Sequence, residues 1–541
     1  MKSAQLSFSL VQQLHYAVLK MDEKERSYFL QKISASGLLN KNACRQYYYL
    51  LLFMAGYSIS EIELELVKNE LNRVEEFLST QKLNFENSLL PCTKVVASFS
   101  LAFCNSLLQH KNLFSTIHSV GADNKLALAI LKLITPLSAR DERDNPEPAH
   151  AFMLIKKLSG KTNSLQWLSD SFNQLEASAE LKENLFQQLL LFVEWKSSSW
   201  LPWKLVDFPI QKMHHQNVLI KHSSLHEIIS SNNIRRIKIN SKQKQSLIYF
   251  SENILGNLLR ETDPVTYAET EATTYWSCGG GMTVALFSMQ VEKRLALESY
   301  VGYVAFKNNL PLAYGGAWIT GTHARIGINI FPWFRGGESA LTFCQLMAVY
   351  HHQFKVNTFT VEPYQIGKGN RDGIKSGAFW FYYRLGFRPL QENLLQLSKD
   401  EWEKISENKS YRSSIGTLKL LANANLFLQI EKNNAPIISS QQLSGNINKF
   451  VANQFNGDRK AAIEFSFQQT KKLFTPSELK RLTDNENFWL KELSLFLASQ
   501  FDLKKLEAKE KSNLKKFIQS KAVVDEKEFA MQWQRMKLTV K

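Results

Sequence analysis

Two short stretches combine residue types that can do chemistry. In the first, Phe334-Arg335-Gly336-Gly337-Glu338-Ser339 leads into an apolar run over 340–354 that reads as a helix. A glycine turn entering a helix leaves backbone N–H groups unpaired at the positive end of the helix dipole, an arrangement that binds phosphate. In the second, residues 376–387 (SGAFWFYYRLGF) read as a short aromatic helix over 378–385, closed by Gly386 and Phe387. Between them, a strand over 356–361 ends at Glu362-Pro363. The polar loop that follows carries Lys368, Arg371 and Lys375, cations that suit cofactor phosphate or an anionic acceptor.

The elements that position these stretches are strands. Residues 300–306 alternate and are rich in aromatic and β-branched types, Asn308-Asn309 follows, and 312–319 returns. Asn tolerates the positive φ of a tight turn, so this is a β-hairpin. A second turn over 320–324 leads into the strand 325–331. Its Ile326, Ile328 and Ile330 face one side, and Arg325, Gly327 and Asn329 the other. A strand face made of Gly and Asn leaves room for a ligand or another backbone.

The order strand, strand, strand, glycine turn, helix, strand, helix, Gly-Phe resembles the GNAT acyltransferase superfamily over about 120 of the 541 residues. FRGGESALTFCQLM corresponds to its pyrophosphate loop and helix. Ala378, Tyr382, Gly386 and Phe387 match its AxxxYxxxGF helix. The family loop usually reads Q/R-x-x-G-x-G/A. Aligned on Gly336, this chain has Trp333 first and Glu338 last, and a carboxylate beside a pyrophosphate is repulsive unless it turns away or pairs with Arg335. Lys375 stands where the family often has Asn.

The resemblance implies acetyl-CoA or another acyl-CoA as co-substrate, its thioester lying between two splayed parallel strands and attacked directly by an amine. Backbone around Ile328, Asn329 and Ile330 would hold the pantetheine arm. Arg335, Gly336, Gly337, Glu338 and Ser339 would surround the pyrophosphate. Tyr382 would protonate or orient the leaving thiolate. Glu362, with His323 second, would accept the ammonium proton, often through water.

Other chemistries lack their signatures. Cys278 before Gly279-Gly280-Gly281 has no assignable partner as a nucleophile, and the glycines read as a turn before a helix. His222 and His226 have helical spacing without an HExxH order, and no P-loop, GxSxG elbow or Rossmann fingerprint occurs, so no metal is expected. Five cysteines lie far apart with no CxxC pair, which fits a reducing compartment. The first twenty residues lack the apolar stretch of a signal peptide, and the longest apolar run, 47–57, is far short of the roughly 20 residues that span a bilayer. The expectation is a soluble cytoplasmic protein with no membrane span.

The length of 541 residues suits about three or four domains, and 44% hydrophobic with 21% charged residues is globular composition. The expected organisation is an α/β GNAT-like mixed-sheet module over 246–390, set between mainly α-helical regions. These cover 1–140 and 151–245, joined by a polar linker or loop at 141–150, and a Lys-rich helical region over 391–541. A formal charge of +16 favours anionic partners. It leaves two other readings in view: a donor carried by aminoacyl-tRNA or acyl carrier protein, and a non-catalytic GNAT-like domain that scaffolds a protein or RNA partner.

Overall fold

The computed structural model describes residues 7–34, 37–38, 40–80, 85–109, 113–139, 150–197, 212–431 and 439–536. Helix α1 (Lys41–Gly56) begins at an Asn40 cap that accepts from the Ala43 N–H, and a helix over Glu61–Thr80 follows it. Every residue of α1 from Tyr47 to Gly56 is buried, so this helix is enclosed on all sides rather than amphipathic.

The stretches expected to be helical also contain strands. β1 (Val95–Ser98), β2 (Leu113–Val120) and β3 (Leu191–Ser197) pair antiparallel in the order β1-β3-β2. Helices between them cover this small sheet around a separate core that runs from Val95 to Trp195. The linker expected at 141–150 lies outside the described residues apart from His150.

A larger sheet begins at β4 (Arg235–Ile237), after which α2 (Ser241–Asn257) is opened by a capping box between Asn240 and Gln243. The following strands are β5 (Thr274–Gly279), β6 (Met282–Phe287), β7 (Ser299–Lys307), β8 (Leu310–Thr320), β9 (His323–Ile326) and β10 (Asn329–Ile330). Then come α3 (Ser339–Phe354), β11 (Thr358–Val361), the short helices α4 (Pro363–Ile366), α5 (Arg371–Lys375) and α6 (Ala378–Arg384), β12 (Arg388–Pro389) and β13 (Leu426–Gln429). The order across the sheet is β12-β13-β11-β9-β8-β7-β6-β5-β4, with β10 also on β8. The sheet therefore extends beyond the expected module limits on both sides. Of the three glycines after Cys278, Gly279 ends β5 and Gly280 and Gly281 join it to β6, where a helix was expected next.

The β7–β8 hairpin forms as its sequence implies. Asn308 and Asn309 both adopt left-handed conformations, with φ of 49° and 64°, as a two-residue hairpin turn requires. β9 and β11 are parallel neighbours paired from His323 to Arg325. α3 lies against the sheet through the Tyr350 hydroxyl, which donates to the Val301 carbonyl at 2.8 Å.

Beyond the sheet, a helical bundle has its own core between Leu443 and Met536, including Leu514, Phe517 and Ile518 of α7 (Ala508–Ala522). Arg294, 5% exposed, fastens the bundle to the sheet: its guanidinium donates to the carbonyls of Met289, Lys521, Val523 and Val524. Fully buried Lys521 donates to the Glu298 carbonyl and the Glu526 carboxylate, both at 3.0 Å, and burial lowers its pKa to about 8. No helix among the described residues is long and apolar enough to cross a membrane.

The hairpin turn also joins separate parts of the chain. Asn308 Nδ2 donates to the carbonyls of Gly56 and His214, and Asn308 Oδ1 accepts from the His214 N–H. Asn308→Ala removes these bonds and strains the turn, at an expected cost of about 2–4 kcal/mol. Asn308→Gly removes the bonds alone, so its melting temperature should fall between those of wild type and Asn308→Ala. Equal losses for the two variants would mean that the backbone conformation contributes nothing.

Candidate active site

The site forms where β9 and β11 part. Their pairing ends at Arg325 and Thr360, while β8 keeps one register on both sides of the gap, Ala317 opposite Ile326 and Tyr314 opposite Asn329. Between these pairs the Gly327 N–H still donates to the Gly316 carbonyl at 3.4 Å, so this edge follows β8 beyond the point where its pairing with β11 ends. The Gly327 carbonyl accepts from the Tyr303 hydroxyl at 2.8 Å. Among the described residues, the N–H and C=O of Ile328 have no backbone partner. The Gln365 amide covers Gly327, its Nε2 standing 2.8 Å from where a Cβ would be, so a larger residue here would push that amide aside.

A cleft of about 860 Å³ opens at this point. It is lined by seven residues named from sequence: Ile328, Asn329, Ile330, Arg335, Gly336, Ser339 and Tyr382. It is also lined by residues that sequence reading missed, including Arg260, Tyr314, Gln365, Asp372, Phe381 and Arg384. Arg384 lies inside the second recognised stretch and Asp372 in the polar loop before it, so their position was the available signal; Arg260 carries none. Lys368, Arg371 and Lys375 are exposed and do not line the cleft. A second hollow of about 540 Å³ shares Phe381 and Arg384 with it and adds Lys221 and Glu227.

The glycine loop presents its amides to the cleft without its carboxylate. Glu338, at the N-cap of α3, makes no side-chain cap there and is 4% exposed. Its carboxylate instead meets Lys307 Nζ at 3.0 Å and accepts from Gln216 Nε2 and the Ile220 N–H, both at 2.9 Å. Burial draws the Lys307 ammonium below its usual pKa, and Glu338 opposes that shift. The Glu338 N–H is taken by the Tyr57 hydroxyl and the Gly337 N–H by the Phe334 carbonyl. Lys221 Nζ donates to the carbonyls of Gly336 and Gly337. Thus Gly337 and Glu338, named from sequence, do not line the cleft. Among the described residues, the N–H groups of Gly336, Ser339 and Ala340 have no protein acceptor.

Trp333, the other departure from the family loop, is also turned inward. It is 2% exposed and its indole N–H donates to the Pro311 carbonyl at 2.8 Å. Its ring and that of Phe334 lie against Tyr49, Phe53 and Tyr57 of the α1 region.

Tyr382 is positioned by the features that define its motif. Gly386 ends α6 with φ of 98°, and the Phe387 N–H returns to the Tyr382 carbonyl. The Tyr382 ring meets Phe343 of α3 edge-on at 5.6 Å. Its hydroxyl has no partner among the described residues, and burial raises its pKa, so it carries a proton at neutral pH.

The two residues named as bases lie elsewhere. Glu362 is held by Arg325 at 2.8 Å, and Arg325 also grips Glu298 at 3.0 Å; Glu362 is not a cleft residue. His323 starts β9, is 8% exposed rather than placed in a surface turn, and its Nε2 lies 2.7 Å from Thr360 Oγ1. Burial, with Arg325 nearby, lowers its pKa to about 4. Cys278 is buried, which raises its thiol pKa.

His323 makes stability depend on pH. Above pH 6.5 the imidazole is neutral folded and unfolded; between 6.5 and about 4 only the unfolded chain takes the proton. Stability should therefore fall by about 3 kcal/mol as pH drops through that window. His323→Gln, which can keep the bond to Thr360, should lose this part of the acid dependence in urea denaturation from pH 7 to 4. An unchanged pH profile would show that His323 does not carry it.

Compared with protein-family models, curated proteins and solved structures, the chain shows no match, so its function is argued from its own geometry.

Proposed function

We propose that this protein is an acyl-CoA-dependent N-acyltransferase of GNAT-like architecture. The observation that carries the reading is the meeting, in one cleft, of a parted parallel strand pair, unpaired amides before α3, Arg335 and Arg384, and the free Tyr382 hydroxyl. The amides and guanidiniums suit a pyrophosphate. The order of strands, glycine turn and helices is the one on which the GNAT resemblance rests.

In this reading the thioester carbonyl lies at the backbone of Ile328, whose N–H has no backbone partner among the described residues and polarises it. The acceptor amine attacks the carbonyl carbon and the C–S bond breaks. The thiolate takes the Tyr382 proton, which burial keeps in place until then. Asp372 lines the cleft, whereas Glu362 is committed to Arg325, so Asp372 accepts the ammonium proton, directly or through water.

Acetyl-CoA and longer acyl-CoAs should bind saturably in calorimetry. Gly336 has φ of 84° and open space at its Cβ position, so Gly336→Asp and Gly336→Asn strain the loop alike and differ in charge. The Asp variant should bind at least tenfold more weakly than the Asn variant. Gly337 is unsuitable, because a Cβ there meets the Tyr57 hydroxyl at 2.5 Å. With binding established, Tyr382→Phe should lower kcat about a hundredfold and leave KM for acyl-CoA within twofold. No binding of any acyl-CoA would overturn the proposal and favour a carrier-borne donor or a scaffold.

A further inference from the structure

The cleft has two chemically distinct sides. Side chains alternate along a strand, so Tyr314, Gly316 and Trp318 share one face of β8 and Ala313, Ala317 and Ile319 share the other. α3 covers the second face, where Tyr350 meets Tyr303 and Val301. Ser339, Tyr382 and Arg384 belong to that side. Arg260 approaches from the opposite side, beyond the end of α2, on the segment whose Pro264 covers Gly302, the strand partner of Gly316.

Both sides carry positive charge. On the α3 side, Arg384 and the amides before α3 account for a polyphosphate. On the other, the Arg260 guanidinium stands beside the Tyr314 hydroxyl and favours its ionised form against burial, with Arg335 adding a smaller influence of the same sign. Neither arginine has a carboxylate within ion-pair distance among the described residues, and Asp372 is the one acidic residue lining the cleft. Tyr314 is the strand partner of Asn329, one residue from Ile328. An anion held by Arg260 and Tyr314 would therefore lie next to the gap and across the sheet from the donor phosphates.

We infer that this side binds the acceptor, and that the acceptor is an amine bearing a carboxylate or phosphate recognised by Arg260 and Tyr314. The inference rests on the acyltransferase reading for the word acceptor, but the anion site can be tested without turnover. The full chain and Arg260→Gln are titrated calorimetrically with β-alanine, O-phosphoethanolamine, propylamine and acetyl-CoA. The three amines have similar reach and differ in carrying a carboxylate, a phosphate or no anion. Arg260 is exposed, so its substitution leaves the core intact.

One anionic amine should bind at least tenfold more tightly than propylamine, and the preferred one identifies the group. Arg260→Gln should abolish that preference and change acetyl-CoA affinity less than twofold. Equal binding of the three amines overturns the inference, as does a tenfold loss of acetyl-CoA affinity in Arg260→Gln, which would place Arg260 in the donor site. If acetyl-CoA fails to bind while the Arg260-dependent preference persists, the donor reading falls and the anion site stands.

Discussion

A buried ammonium and a buried carboxylate meet at Lys307 and Glu338, and the shape of the cleft depends on that contact. Both side chains are almost wholly withdrawn from water, which is tolerable only because further hydrogen bonds satisfy them. Lys307 also donates to the Gly280 carbonyl and the Gln216 side chain, and Glu338 accepts from Gln216 and Ile220. The pair therefore joins the β5–β6 turn, the end of β7, the segment around residue 216 and the loop before α3. Holding the carboxylate there removes a negative charge from the one place where it would repel a phosphate.

The long N-terminal region acts on this loop from behind. The aromatic side chains of α1 lie against Trp333 and Phe334, and Tyr57 packs on Gly337 and accepts the Glu338 N–H. Trp333 and Glu338 fit this loop because both have interior partners. The parts of the chain outside the recognised stretches supply Tyr57, Gln216, Ile220 and Lys307.

How much of this was legible follows from the range of each interaction. The Asn308-Asn309 hairpin, the start of α3 and the Gly386 helix end are set by residues a few positions apart, and all were readable. Tyr382 was readable because its helix is. Glu338 was recognised as a departure, but its true partner is 31 residues away in sequence. The pairing of Glu362 was hidden for a similar reason, since Arg325 holds it from the neighbouring strand. β1, with four residues and partners in β3 about a hundred positions later, had too little local pattern to separate it from the helices around it. Arg260 reaches the cleft only through the tertiary path of the segment after α2.

Arg294 has a consequence for biogenesis. Three of its four carbonyl acceptors lie 227 to 230 residues later in the chain. A polypeptide leaving the ribosome N-terminus first exposes the guanidinium long before those acceptors exist, and water must solvate it in the interval. The sheet can be assembled by then, but its surface around Arg294 closes only when α7 and the residues just after it arrive. Synthesis of residues 521–524, rather than completion of the sheet, sets the earliest moment at which this part of the protein becomes dry.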